Sequence, residues 1–248
     1  MNLIEDLELA VDDQLVDAGI VVGFLLIGGV KNQTRKKKGF ESFRGALIRD
    51  LIENNCLADL AAHRYLRGYR ELHDHFDVSD RSLVPSPESL YGVLFKHGDL
   101  RTINPIVDVY NYVALKHRLS CGAHDIDQLN GRIALIRTTG NESFKPLGKG
   151  TVCTVPAREY AYVDGSNRVI CRLECRQAEH SAVLDTTTKV AVIVQGNAST
   201  PVLAIEDAIT EIKSLLQRCL GEPEVLRRAL LPVSAHVTEN ATTREVYV

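Results

Sequence analysis

"INPIVDVYNYVALKHRLSCGAHDIDQLNGRIALIR", residues 103–137, changes its periodicity midway, and that change decides the fold class. From Pro105 to about His117 the segment is apolar nearly all round, as a helix buried in a core is. Asn104 stands where an N-cap belongs and Pro105 at the first helical position. "GAHDID" (122–127) reads as a polar turn that delivers His124. From Arg132 onward apolar and polar residues alternate, the period of a half-buried strand.

Upstream, "LELAV" (7–11) alternates and runs into Asp12-Asp13, a helix-capping pair. The β-branched run Ile20–Val30 reads as a buried strand, so the chain opens strand, short helix, strand. "KNQTRKKK" (31–38) is a polar loop with five basic residues in eight. Phe43, Leu47 and Leu51, then Leu57, Leu60, Tyr65 and Tyr69, keep helical spacing, which predicts two helices broken near "ENNC". Ser86 is expected to cap a helix that starts at Pro87 and stops at Gly98. Downstream, "RIALIR", "EYAYV", "RVICRLE" and "KVAVIVQG" read as strands. "VLAIEDAITEIKSLLQRCLG" is an amphipathic helix ended by glycine, and a short helix is expected after Pro223. "REVYV" at the end could add an edge strand. The pattern predicts an α+β fold: one domain over 1–248, with a mixed or antiparallel sheet packed by helices.

Bulk properties narrow the function classes. A net charge of -3 describes no polycation, so a nucleic-acid site has to be a local patch. The apolar run 19–30 is too short to span a bilayer, and acidic residues precede it, unlike a signal peptide. These features point to a reducing, cytoplasmic setting in which the six cysteines are free thiols. No nucleotide loop of recognised spacing is present. "HDHFD" (73–77) looks like a metal cluster, but its histidines point apart on a helix, so no metal is expected there.

Asp108 and Asn111, three residues apart, share one helix face. Inside an apolar helix they need partners, since an unpaired buried polar group costs about 1–3 kcal/mol. Either they brace the adjoining loop or Asn111 faces a pocket.

The opening stretch also resembles the editing domain of the bacterial phenylalanyl-tRNA synthetase beta subunit, the B3/B4 domain. "VDVYNYV" and "AHDID" match its helix and the segment after it, "PLGKG" a glycine turn, and "AEHSAV" a Glu-His-Ser segment. The likeness is strongest over 84–196; the N-terminal 83 residues are then the strand and helical part of the same domain. It implies hydrolysis of mischarged aminoacyl-tRNA by a freestanding editing-type domain, with no cofactor. It places His124 and Asn111 in catalysis, and Glu179, Gly148 and Tyr110 against substrate. Tyr110 stands where the synthetases have threonine, and "SCGA" replaces a Gln-Pro pair; both bear on the amino acid preferred. The expected partner is the aminoacylated acceptor end of tRNA, neither DNA nor a membrane, with Arg35, Lys36, Lys37 and Lys38 on its phosphates. The chemistry asks little: one positioned water and one polarised carbonyl of an activated ester. His124, titrating near neutrality, would orient or deprotonate that water. Such a site requires Asn111, His124 and Glu179 to border one cavity within about 10 Å. The rival readings are a module that binds an amino acid or small metabolite, and a tRNA-binding accessory protein, both without catalysis.

Overall fold

The structure, a computed structural model, describes residues 7–32, 38–148 and 150–232, with the side chains of 38–43 and 57–59 left aside. It is α+β. β1 (Glu8–Val11), α1 (Asp13–Asp17) and β2 (Val22–Gly28) open the chain in the expected order. Asp12 occupies the N-cap position of α1 but makes no capping bond; its carboxylate accepts from the Arg137 backbone N–H at 2.9 Å instead. Next come α2 (Lys38–Glu53), α3 (Leu57–Ala62), α4 (Arg64–His75), α5 (Ser86–His97) and α6 (Pro105–His117). The break at "ENNC" is where spacing put it. A second break falls at His63, whose imidazole accepts the Tyr65 N–H and starts α4 afresh.

α6 begins as its sequence dictates, with the Asn104 side chain accepting from Val107 N–H and proline in the first turn. For α5 the capping serine is a correction. Pro85 holds the N-cap position, and Ser86 Oγ reaches Ser120 Oγ at 3.1 Å. Gly98 does end that helix, at φ 68°.

Two sheets make the centre. β3 (Ser120–Asp125), β10 (Val190–Gln195) and β2 are antiparallel neighbours, and β11 (Glu224–Leu231) pairs with β2, giving the order β11-β2-β10-β3. The second sheet runs β1-β4-β7-β8-β9, from β4 (Arg132–Arg137), β7 (Tyr160–Val163), β8 (Val169–Arg172) and β9 (Arg176–Gln177). Only its β1–β4 pair is parallel. A two-stranded ribbon, β5 (Ser143–Phe144) with β6 (Cys153–Thr154), lies outside both.

Three expectations are corrected here. "GAHDID" does not form a turn: His124 lies within β3, directly opposite Ala191 of β10. The segment after Pro223 is strand β11, not a helix, because its backbone completes the edge of β2. "RVICRLE" leaves the sheet after Arg172, where Leu173 takes a left-handed φ of 53°.

Strand alternation assigns the faces. Leu25 and Ile27 of β2, Cys121 and Ala123 of β3 and Val190, Val192 and Val194 of β10 pack under α6 and α7 (Val202–Leu220). Phe24, Leu26, Ala191 and Ile193 point the other way, onto Ile133, Leu135, Tyr160 and Tyr162 of the second sheet. β2 and β10 are buried on both faces, and hence read as continuous apolar runs. Among the described residues no helix is long and apolar enough to cross a membrane. The cysteines are all free; Cys121 and Cys219 are buried, Cys56 and Cys153 exposed. Arg35, Lys36, Lys37 and the terminal "REVYV" lie outside the described residues, and Lys38 opens α2.

Candidate functional site

β3 is the edge strand of its sheet, and an edge strand must find partners for its outward backbone groups. The segment 177–187 supplies them. Gln177 Nε2 donates to the Ala123 carbonyl at 2.7 Å, and Asp125 N–H donates to the Ser181 carbonyl at 3.0 Å. Asp125 also accepts from Thr187 Oγ1 at 2.7 Å, and Asn104 Nδ2 binds the Val183 carbonyl at 3.1 Å. One polar loop thus ties the sheet edge to the start of α6.

His124 sits beneath this loop, 2% exposed, on the face opposite α6. Its Nδ1 lies 3.0 Å from Ser181 Oγ. Burial, with a smaller contribution from His180, pulls its pKa down to about 3. The imidazole is therefore neutral across the physiological range. Burial makes it a weaker base than a free imidazole. It is suited to accept from, or donate to, the serine and so hold the loop.

The same loop carries Glu179, whose side chain is 42% exposed and ion-paired with Lys145. Glu179 N–H also donates to the Lys145 carbonyl at 2.9 Å, and Leu147 N–H to Gln177 at 2.8 Å. These bonds bring the Gly148 turn alongside. Gly148 is exposed at φ 105°, and a Cβ there would meet nothing within 4 Å; the glycine answers to backbone conformation, not to crowding. His124, Glu179 and Gly148 thus belong to one neighbourhood, from β3, the 177–187 loop and the turn after β5.

Asn111 does not join them. With Asp108 it faces a crevice between α2 and α6, lined also by Arg44, Ile48, Leu100 and Tyr112. Its interior of about 10 Å³ holds at most one water. Asp108 accepts from the Ile103 N–H at 3.0 Å and faces the Arg44 guanidinium at 3.8 Å. Arg44 also pairs with Asp99 at 2.9 Å. The polar pair in the apolar helix therefore sits at a knot joining α2 to the loop before α6. The four-stranded sheet separates this crevice from His124. Tyr110 is buried in the core between helices and sheet, and burial raises its phenol well above the ordinary range.

Three residues of this neighbourhood were not among the site residues expected from the sequence. Ser181 fixes His124, Lys145 pairs with Glu179, and His180 Nε2 is buried without a hydrogen-bond partner among the described residues. A serine and a second histidine adjoining Glu179 in "AEHSAV" were the available hint.

Comparison with known proteins gives the family. A segment of 114 residues is 35% identical to the phenylalanine–tRNA ligase beta subunit of Geobacter sulfurreducens, covering 46% of this chain and only 14% of that subunit. An N-terminal fragment of the phenylalanyl-tRNA synthetase beta subunit from Pyrococcus horikoshii aligns over 85% of this chain and 48% of its own, at 12% identity and a TM-score of 0.45. Residues 78–214 match the model of the B3/4 domain, a span that takes in α5, α6, β3, the Gly148 turn and the docked loop. The chain belongs to the B3/4 domain family.

Proposed function

We propose that residues 1–248 act as one freestanding B3/4 unit that hydrolyses mischarged aminoacyl-tRNA. The observation that carries the proposal is the loop 177–187, pinned onto β3 through His124 and Ser181, with Glu179, Lys145 and Gly148 at its exposed rim. Family membership supports the substrate class. In this reading the protein positions more than it titrates. Glu179 exchanges Lys145 for the substrate's α-ammonium, a swap of one exposed cation for another at little net cost. The Gly148 turn, free of a side chain, admits the ester backbone. His124 holds Ser181, and through it the loop, while the ester carbonyl is already activated toward attack and the tRNA's own terminal hydroxyl orients the attacking water. Asn111 steadies α6 from behind, and Tyr110 limits the site from the helix side. Arg35, Lys36, Lys37 and Lys38 grip acceptor-stem phosphates. Release of labelled amino acid from a panel of mischarged aminoacyl-tRNAs tests the proposal, with Glu179→Gln as the loss-of-function control. No release from any member of the panel sinks it.

A second reading follows from the burial of His124 against Ser181, which gives the ring a bracing role under the loop. The same rim would then bind an amino acid or aminoacyl end without turnover. Saturable binding of free amino acid with no deacylation selects this reading.

A further inference from the structure

Away from the β3 edge, His73 of α4 is buried against the turn that follows β8. Its Nε2 lies 2.7 Å from Glu174 Oε1 and 3.9 Å from Cys175 Sγ, and Cys175 Sγ lies 3.5 Å from the same Glu174 oxygen. The other Glu174 oxygen accepts from Tyr160. Leu173, fully buried, holds the strained φ of 53° that turns Glu174 and Cys175 toward α4. An imidazole, a carboxylate and a thiol, the first more than a hundred residues from the other two in sequence, are thereby gathered, all three ligand atoms within 4.8 Å of one another.

We propose that His73, Glu174 and Cys175 form a binding site for a zinc-like divalent cation. Imidazole nitrogen, carboxylate oxygen and thiolate sulfur are the three ligand types zinc takes. Tetrahedral zinc sets nitrogen–sulfur and oxygen–sulfur separations of about 3.5 Å and a nitrogen–oxygen separation of about 3.3 Å. The sulfur distances here lie within a few tenths of an ångström of that. Only the His73–Glu174 pair has to open, as the ion replaces the hydrogen bond between them. Entry is provided: His73 lines a cavity of about 150 Å³, whose rim carries Asp74 and Asp80 balanced by Arg70 and Arg81. A water from that cavity would take the fourth position. The ion displaces the Cys175 proton to solvent, as a coordinating thiol requires, even though burial raises this thiol. The site is separate from the β3 edge and stands whether or not the chain deacylates tRNA.

Titration of the metal-free full chain with cobalt(II), then with zinc(II), tests the site. One equivalent of cobalt should produce thiolate-to-metal charge-transfer absorption, which zinc then abolishes by displacement. Cys175→Ser should remove that absorption, and His73→Gln should weaken zinc binding at least about ten-fold. The double variant Cys56→Ser, Cys153→Ser removes the exposed thiols and should leave both signals intact. The idea is overturned by the absence of thiolate absorption in folded wild-type protein, a result that needs no variant. Absorption that survives in Cys175→Ser overturns it equally, and the cluster is then a hydrogen-bonded brace between α4 and the second sheet.

Discussion

Replacing His124 by Asn keeps a polar atom where Nδ1 meets Ser181 and removes the titrating ring. The ring's pKa is lowered to about 3 in the folded chain, against about 6.5 when unfolded. A base depressed in the folded state contributes stability that is fully present above its unfolded pKa and is lost as pH falls toward the folded one. The window is thus from about 6.5 down to about 3. At pH 5 the unfolded chain has bound this proton and the native chain has not, which costs about 2 kcal/mol relative to pH 7.5. For a chain of this length that corresponds to roughly 4–8 °C in Tm. His73 works in the opposite direction. Burial lowers its pKa, but the hydrogen bond and charge of Glu174 outweigh burial and raise it, so His73 favours the native state as pH falls. It is present in both proteins and cancels in the difference. The assay is denaturant unfolding of wild type and His124→Asn at pH 7.5 and pH 5. Wild type should lose about 2 kcal/mol more than the variant between the two pH values. Equal losses would falsify the placement of His124 as a buried neutral ring, and with it the argument that this site works by positioning.

Other expectations address the remaining residues. Asn111→Ala should leave deacylation per folded molecule within about two-fold, because its one-water crevice lies across the sheet from the proposed rim; a loss of a hundred-fold or more in kcat with unchanged Tm returns it to the substrate. Arg44→Met, read by thermal melting, should cost about 1–3 kcal/mol by stripping partners from Asp99, Asp108 and the Leu100 carbonyl. Lys145→Ala frees Glu179 and should tighten binding of a cationic α-amino group, read as a lower KM; a higher KM would mean that the lysine itself contacts substrate. Changing Arg35, Lys36, Lys37 and Lys38 together to Ala should flatten the dependence of log affinity for tRNA on log salt by about three units of slope, whereas an unchanged slope makes the loop mere solvated surface.

Elements whose signal is local were legible from residue order. The cap and proline of α6, the glycine stop of α5, the amphipathic stripe of α7 and the alternation of "RIALIR" each lie within a few residues of what they specify. The α+β class followed from them; the B3/4 resemblance rested instead on the motifs "VDVYNYV", "AHDID", "PLGKG" and "AEHSAV". The rest depended on contacts between segments distant in the chain. "GAHDID" is polar enough for a turn, yet it becomes a strand because β10 and the 177–187 loop satisfy its backbone from either side. Which side of that strand a residue faces depends on register, and register is set by partners about seventy residues away; it put His124 and Asn111 on opposite sides of one sheet. The tuning of His124 followed from the same cause. A histidine's pKa belongs to its surroundings, and nothing between residues 118 and 130 states that β10 and Ser181 will close over the ring. His73, Glu174 and Cys175 repeat the point, since helical spacing showed that His73 and His75 diverge, but only the packing of α4 against the turn after β8 brought His73 to a carboxylate and a thiol about a hundred residues away.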